Sequence, residues 1–70
     1  MEYKKISIKE DFIRLDSAMK LAGLAATGGH AKLVIQNGEV RVNGEICLQR
    51  GRKLYRGDTA EFDGGGFIIG

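Results

Sequence analysis

The spacing of apolar residues divides the chain into a helical first half and a second half with the two-residue period of strands. Residues 3–8 alternate loosely, which predicts a short opening strand. Apolar residues then recur at intervals of three and four, at Phe12, Leu15, Ala18 or Met19, and Ala22. This spacing predicts a helix that stops at Gly23, with its start open between Asp11 and Leu15.

A second helix is predicted from about Gly29 to Asn37. Thr27 suits the N-cap position, and Gly38 stands where a left-handed residue ends a helix. Its apolar stripe consists of Ala31, Val34 and Ile35. Because the connection over residues 24–28 is short, the two helices should pack against each other.

The next segment has the pattern of a hairpin around Asn43-Gly44. A two-residue turn there sets Val42 opposite Glu45, which places unlike residues on one face. A three-residue loop with a left-handed Gly44 keeps apolar residues opposite each other, and we predict this register. Its pairs are Arg41 with Glu45 and Val40 with Ile46.

Two final strands, over residues 59–62 and 66–69, follow a turn at Gly57-Asp58 and are joined around Asp63-Gly64-Gly65. The basic stretch of residues 49–53 is expected to be a loop. The predicted fold is therefore α+β, with two packed helices followed by a small antiparallel sheet. Residues 1–70 are expected to form a single domain, since a chain of this length holds one at most.

Composition limits what can stabilise this domain and where it acts. Cys47 is the only cysteine and His30 the only histidine, so neither a disulfide nor a four-ligand zinc site is expected. A lone cysteine suits a reducing compartment. There is no apolar run of about 20 residues, as a membrane span needs, and no apolar stretch typical of a signal peptide near the start. We expect a cytoplasmic protein without membrane contacts.

Positive charge is concentrated in the middle of the chain. Residues 14–53 contain seven Lys or Arg against three acidic residues, whereas the whole chain carries a net charge of only +2. Segregated basic charge is typical of proteins that bind polyanions, although an ordinary solvated surface can also carry it.

The sequence does not favour catalysis. His30 has no serine or cysteine nucleophile at a recognisable spacing, and Cys47 falls within a predicted strand, where a small buried residue suffices. Gly28-Gly29 lacks the further residues of a nucleotide-binding loop. No enzyme activity, cofactor or small-molecule substrate is expected.

Thr27-Gly28-Gly29-His30-Ala31-Lys32 is a candidate anion site. Glycines at a helix start lower helix propensity, yet they let a phosphate approach the free N–H groups there. His30 and Lys32 would add a hydrogen bond and a charge. The alternative is a tight turn between helices that simply requires glycine.

The densest basic cluster is Arg50-Gly51-Arg52-Lys53, a loop suited to phosphate contacts. Other basic residues that can share its side of the molecule are Lys20, His30, Lys32 and Arg41. The aromatic residues do not alternate with basic ones, and we expect most of them in the core: Tyr3, Phe12, Tyr55, Phe62 and Phe67. Recognition of RNA backbone and shape is therefore favoured over single-strand stacking.

These motifs together resemble the alpha-L RNA-binding motif, the domain named after ribosomal protein S-four. The resemblance covers about residues 12–62 and is closest to the small stand-alone bacterial proteins. It is carried by Arg14-Leu15-Asp16, Gly23-Leu24, Thr27 to Lys32, Ile35, Gly38, Val40 to Gly44, Arg50 to Leu54, and Gly57-Asp58.

The resemblance implies an RNA-binding face on the helix pair and the hairpin edge, with ribosomal or transfer RNA as partner. Its residues in this chain are Arg14, Lys20, Thr27, Gly29, His30, Lys32, Arg41 and Asn43. The anion site at the start of the second helix adds Gly28, and charge adds Arg50, Arg52 and Lys53. One departure is His30 with its glycine pair, where the family pattern has a basic residue. Lower or pH-sensitive affinity is the expected consequence.

A β-grasp carrier or protein-interaction module is the alternative, because such folds share Val-x-Val-Asn-Gly followed by Gly-Asp. Carriers of that kind activate a C-terminal Gly-Gly, whereas this sequence ends in Ile69-Gly70. A β-grasp fold also opens with a full hairpin before its helix.

Overall fold

The computed structural model describes residues 3–70, which form two helices, a five-stranded sheet and a two-stranded sheet. Met1 and Glu2, which the single-domain expectation includes, lie outside the described residues. The elements are β1 (Tyr3–Ile6), β2 (Phe12–Arg14), α1 (Leu15–Leu21), α2 (Gly28–Gln36), β3 (Val40–Val42), β4 (Glu45–Ile46), β5 (Lys53–Tyr55), β6 (Thr59–Phe62) and β7 (Gly65–Ile69). The predicted α+β class is confirmed. Neither helix within residues 3–70 is long and apolar enough to cross a bilayer.

The five-stranded sheet has the order β1-β7-β6-β3-β4. Its pairs are antiparallel except that β1 runs parallel to β7. The strands that follow the helices pair antiparallel, as predicted, and the sheet is mixed because β1 adds a parallel pair for which the sequence predicted no partner. A parallel pair needs a long connection, and here the whole of the intervening chain supplies it.

One hydrophobic core lies between the helices and the inner face of this sheet. The sheet contributes Val40, Val42, Ala60, Phe67 and Ile69 to it. The helices contribute Leu15, Ala18, Met19, Ala31, Val34 and Ile35. Residues that alternate with these on the strands, such as Arg41 and Glu61, lie on the outer face, away from the helices.

The two-stranded sheet pairs β2 antiparallel with β5. The sequence left the start of the first helix open between Asp11 and Leu15, and α1 begins at Leu15, which leaves Phe12 outside the helix. Residues 12–14 instead form a strand that pairs Ile13 with the fully buried Leu54. A strand of three residues is too short for its two-residue period to show beside a helical pattern.

The hairpin register predicted from the sequence is also wrong. Asn43 and Gly44 both have positive φ, 52° and 86°, as a two-residue type I′ turn requires. The side chain of Ile46 is 55% exposed, so pairing it with an apolar residue would gain little. The observed pairs are Val42 with Glu45 and Arg41 with Ile46.

The capping residues in the sequence predicted the position of α2 closely. It begins and ends one residue before the predicted bounds, and Thr27 is its N-cap, with Oγ1 accepting from the His30 N–H at 3.0 Å. Gly38 has the expected left-handed φ of +78°. The final hairpin turns at Asp63-Gly64, and β7 therefore starts at Gly65, one residue earlier than predicted.

Burial in the core should account for the stability of α2. Alanine substitutions of two residues of equal size on this helix, one buried and one exposed, test this expectation. Ile35→Ala removes a fully buried side chain and should lower the free energy of unfolding by roughly 2–4 kcal/mol. Leu33→Ala is the matched control, because Leu33 is 61% exposed and should change stability by no more than about 0.5 kcal/mol. Urea denaturation measures both. Equal losses in the two variants would contradict this orientation of α2.

Candidate nucleic-acid interface

The basic loop, Arg50 to Lys53, is fixed against the first turn of α1 by two backbone hydrogen bonds. The Leu15 N–H donates to the Arg52 carbonyl at 2.9 Å, and the Asp16 N–H donates to the Arg50 carbonyl at 3.1 Å. The N-cap residue, Arg14, makes no capping hydrogen bond with its side chain. The loop carbonyls therefore satisfy N–H groups that the helix leaves without partners. The loop's three basic side chains remain exposed.

Arg14 joins this loop from β2. It lies opposite Lys53 in the two-stranded sheet, and its guanidinium runs along Gly51, where an added Cβ would lie 3.7 Å from Arg14 Nη2. Arg14 Nη2 also lies 3.1 Å from Asp16 Oδ2, in the only ion pair within residues 3–70. Arg14 thus adds a fourth cation to Arg50, Arg52 and Lys53, and within residues 3–70 only Arg14 of the four pairs with a carboxylate. We call these four residues the basic cluster.

The start of α2 presents the second set of predicted site residues. The Thr27 side chain accepts a hydrogen bond from the His30 N–H, whereas the N–H groups of Gly28 and Gly29 have no hydrogen-bond partner among residues 3–70. Nδ1 of His30 accepts from the Ala26 N–H at 3.4 Å, which leaves Nε2 to carry the proton of a neutral ring. Lys32 is exposed one turn later. This arrangement offers donors and a positive charge to an anion.

Neither packing nor backbone conformation requires glycine at the start of α2. An added Cβ on Gly28 would meet nothing within 4 Å, and one on Gly29 would meet only Thr27 Oγ1, at 3.8 Å. Neither residue has the positive φ found at Gly23 and Gly38. The explanation that a tight helix–helix turn requires the glycine pair therefore finds no support.

Arg41 is placed away from the helix pair. Arg41 lies on the outer face of the five-stranded sheet and lines a recess of about 180 Å³ together with Glu39, Glu61 and Asp63. The prediction that Arg41 shares a side with the basic loop is not supported, because strand alternation sends it away from the helices. Lys20, in contrast, is exposed in the last turn of α1.

The side-chain amide of Asn43 is engaged within the fold. Its Nδ2 donates to Asp58 Oδ1 at 3.1 Å, and its Oδ1 accepts from the Thr59 N–H at 3.0 Å. These bonds tie the β3–β4 turn to the start of β6. Contact between Asn43 and RNA stays a prediction from the resemblance.

The sequence missed an aromatic pair beside the basic cluster. Phe12 and Tyr55 are opposite each other in the two-stranded sheet, with ring centroids 6.0 Å apart. Tyr55 is 49% exposed, and of the five aromatic residues only Phe67 is fully buried. The expectation that most aromatic residues form the core is therefore wrong. The aromatic pair could have been found by recognising residues 12–14 and 53–55 as paired strands. Phe12 and Tyr55 then fall on the face opposite to the buried side of Ile13 and Leu54.

Comparisons with known proteins agree with this architecture. A family model described as an S4 domain matches residues 6–69, a longer stretch than the 12–62 of the resemblance. A protein of Bacillus subtilis (strain 168), named as a probable ribosome maturation protein, RlbA, is 46% identical over 61 residues, covering 87% of this chain and 86% of that protein. YbcJ of Escherichia coli (strain K12) is 32% identical over 56 residues, 80% of either chain. The solution structure of YbcJ, described as revealing an alpha-L motif involved in RNA binding, matches with a TM-score of 0.73 and 27% identity over 99% of this chain and 89% of that one.

The free space at the start of α2 predicts that a methyl group is tolerated there. Gly29→Ala should leave the free energy of unfolding unchanged or raise it by at most about 1 kcal/mol, because alanine has the higher helix propensity. Gly38→Ala is the control and should lower it by roughly 1–2 kcal/mol, since its φ of +78° strains any residue with a Cβ. Thermal melting compares them. An equal loss of stability in both variants would contradict this expectation and would show that packing requires glycine at position 29.

Proposed function

The chain belongs to the S4 domain family, and we propose that it binds structured RNA, either ribosomal or transfer RNA, without catalysing a reaction. The observation that carries the proposal is the basic cluster, held by backbone hydrogen bonds on the first turn of α1. The name of the Bacillus relative supports ribosomal RNA, and a site of action on the ribosome in the cytoplasm. Residues 1–70 act as one RNA-binding domain in this proposal.

The basic cluster suits phosphate binding because its backbone is fixed before RNA arrives. Side chains mounted on an ordered loop lose less conformational freedom on binding than those of a mobile tail. Arg14 already shares its charge with Asp16, whereas Arg50, Arg52 and Lys53 have no ion-pair partner within residues 3–70. These three side chains supply most of the electrostatic attraction.

The start of α2 extends the surface. Two unpaired N–H groups, the Nε2 of His30 and the ammonium of Lys32 offer hydrogen bonds and positive charge to RNA phosphates, and α2 packs directly on α1. Lys20, in the last turn of α1, adds a further charge. Arg41 is expected to contribute less than Arg52, because three carboxylates surround its recess.

Binding without catalysis is supported by how the two reactive side chains are used. Cys47 is buried, and its Sγ lies 3.6 Å from the Gln49 carbonyl oxygen, which is consistent with a structural role. His30 Nδ1 is occupied by a backbone N–H. The β-grasp alternative loses support, because the two strands that precede the helices, β1 and β2, lie in different sheets and do not form a hairpin.

Salt dependence tests the proposal. Affinity for a folded ribosomal RNA fragment should fall with added salt, with a log–log slope of a few units, because bound phosphates release counterions. Arg52→Ala and Lys32→Ala should each weaken binding and reduce this slope by about one unit. Lys5→Ala is the matched control, since Lys5 lies on the outer face of β1 and should change neither quantity.

Fluorescence anisotropy at several salt concentrations measures these affinities. Wild-type affinity that does not vary with salt would overturn the proposal. So would a loss for Lys5→Ala as large as that for Arg52→Ala, because binding would then follow net charge rather than the surface described.

A further inference from the structure

The outward face of the two-stranded sheet carries two aromatic and two basic side chains. Opposite residues of an antiparallel pair share a face, as do alternate residues of one strand. Phe12 is opposite Tyr55 and Arg14 is opposite Lys53, so all four share one face, which we call the ribbon platform. The residues between them, Ile13 and Leu54, face the core.

We propose that the ribbon platform holds one unpaired nucleotide of the bound RNA, with its base stacked on Tyr55 and its phosphate between Arg14 and Lys53. The inference rests on the proposed function and names the part of the RNA that this chain recognises. It departs from the expectation of binding to backbone and shape alone.

The platform's geometry separates an aromatic row from a basic row. Arg14 is two residues along β2 from Phe12, a rise of about 7 Å, so a base and its own phosphate can reach both rows. The Phe12 and Tyr55 rings are tilted by 51° and therefore do not cover each other. Lys53 Nζ lies 4.7 Å from the centre of the Phe12 ring, so its ammonium reaches from the basic row over the aromatic row.

Tyr55 is available to a ligand, whereas the other tyrosine is not. The Tyr3 ring covers Gly66, and its hydroxyl donates to Glu61 Oε1 at 2.7 Å, a bond that raises the pKa of Tyr3. The Tyr55 hydroxyl has no hydrogen-bond partner within residues 3–70, and half of its side chain is exposed. An exposed aromatic residue that shares a sheet face with two cations, Arg14 and Lys53, is suited to base stacking, which tolerates any base.

Two RNAs separate base stacking from backbone binding: a hairpin with a single-stranded loop, and a fully paired duplex with the same stem. Tyr55→Ala should weaken binding to the hairpin about tenfold and leave binding to the duplex unchanged, since stacking on an aromatic ring contributes that much per base. Tyr55→Phe is the matched control and should bind both RNAs as the wild type does, because the ring remains.

Tyrosine fluorescence gives a second measurement that does not depend on an alanine variant being folded. The chain has two tyrosines and no tryptophan, so in Tyr3→Phe all of this emission comes from Tyr55. The hairpin should quench it more strongly than the duplex.

Three outcomes would overturn the inference. If Tyr55→Ala binds the hairpin as the wild type does while Arg52→Ala binds it more weakly, the ribbon platform does not contact RNA, and the proposed function still stands. Equal losses on hairpin and duplex would show a contact other than base stacking. Wild-type protein that binds neither RNA would remove the proposed function and the platform with it.

Discussion

The hydrogen bonds from the first turn of α1 to the carbonyls of Arg50 and Arg52 join two segments that are far apart in the sequence. α1 has seven residues and no side-chain cap, and a helix this short is unstable in water by itself. The loop carbonyls complete its first turn, and the buried Leu15 and Leu54 hold both segments in place. The same contact fixes residues 50–52, which form no helix or strand of their own, whereas Lys53 already belongs to β5. A short helix and a basic loop therefore depend on each other.

This contact also brings like charges together. Arg14, Arg50, Arg52 and Lys53 repel one another, and only Asp16 pairs with any of them among the described residues. Folding alone gives no reason to collect cations at one place, since the repulsion opposes the compact state. A polyanion that binds there removes the repulsion. The cost of the cluster to the free chain is thus an argument for RNA as its partner.

The sequence predicted those features that local chemistry determines. Thr27 and Gly38 bound α2 almost as expected, because a cap and a left-handed residue act on their immediate neighbours. The hairpin register was wrong because the turn conformation of Asn43-Gly44 outweighed the matching of faces. The pairing of β2 with β5 was missed, since strands of three residues have no visible period and their partners are distant. The basic loop was found from its composition, whereas its attachment to Arg14, and the aromatic pair beside it, required the fold.

We propose that RNA contacts the side of the molecule formed by α1, the start of α2 and the basic loop. Backbone amide chemical shifts, followed by NMR during titration with a folded ribosomal RNA fragment, test it residue by residue. We expect shifts concentrated in residues 14–20, 27–32 and 50–55, with Lys5 and Ile68 on the outer sheet face unchanged. Shifts centred on that outer face, with residues 50–55 unaffected, would contradict it.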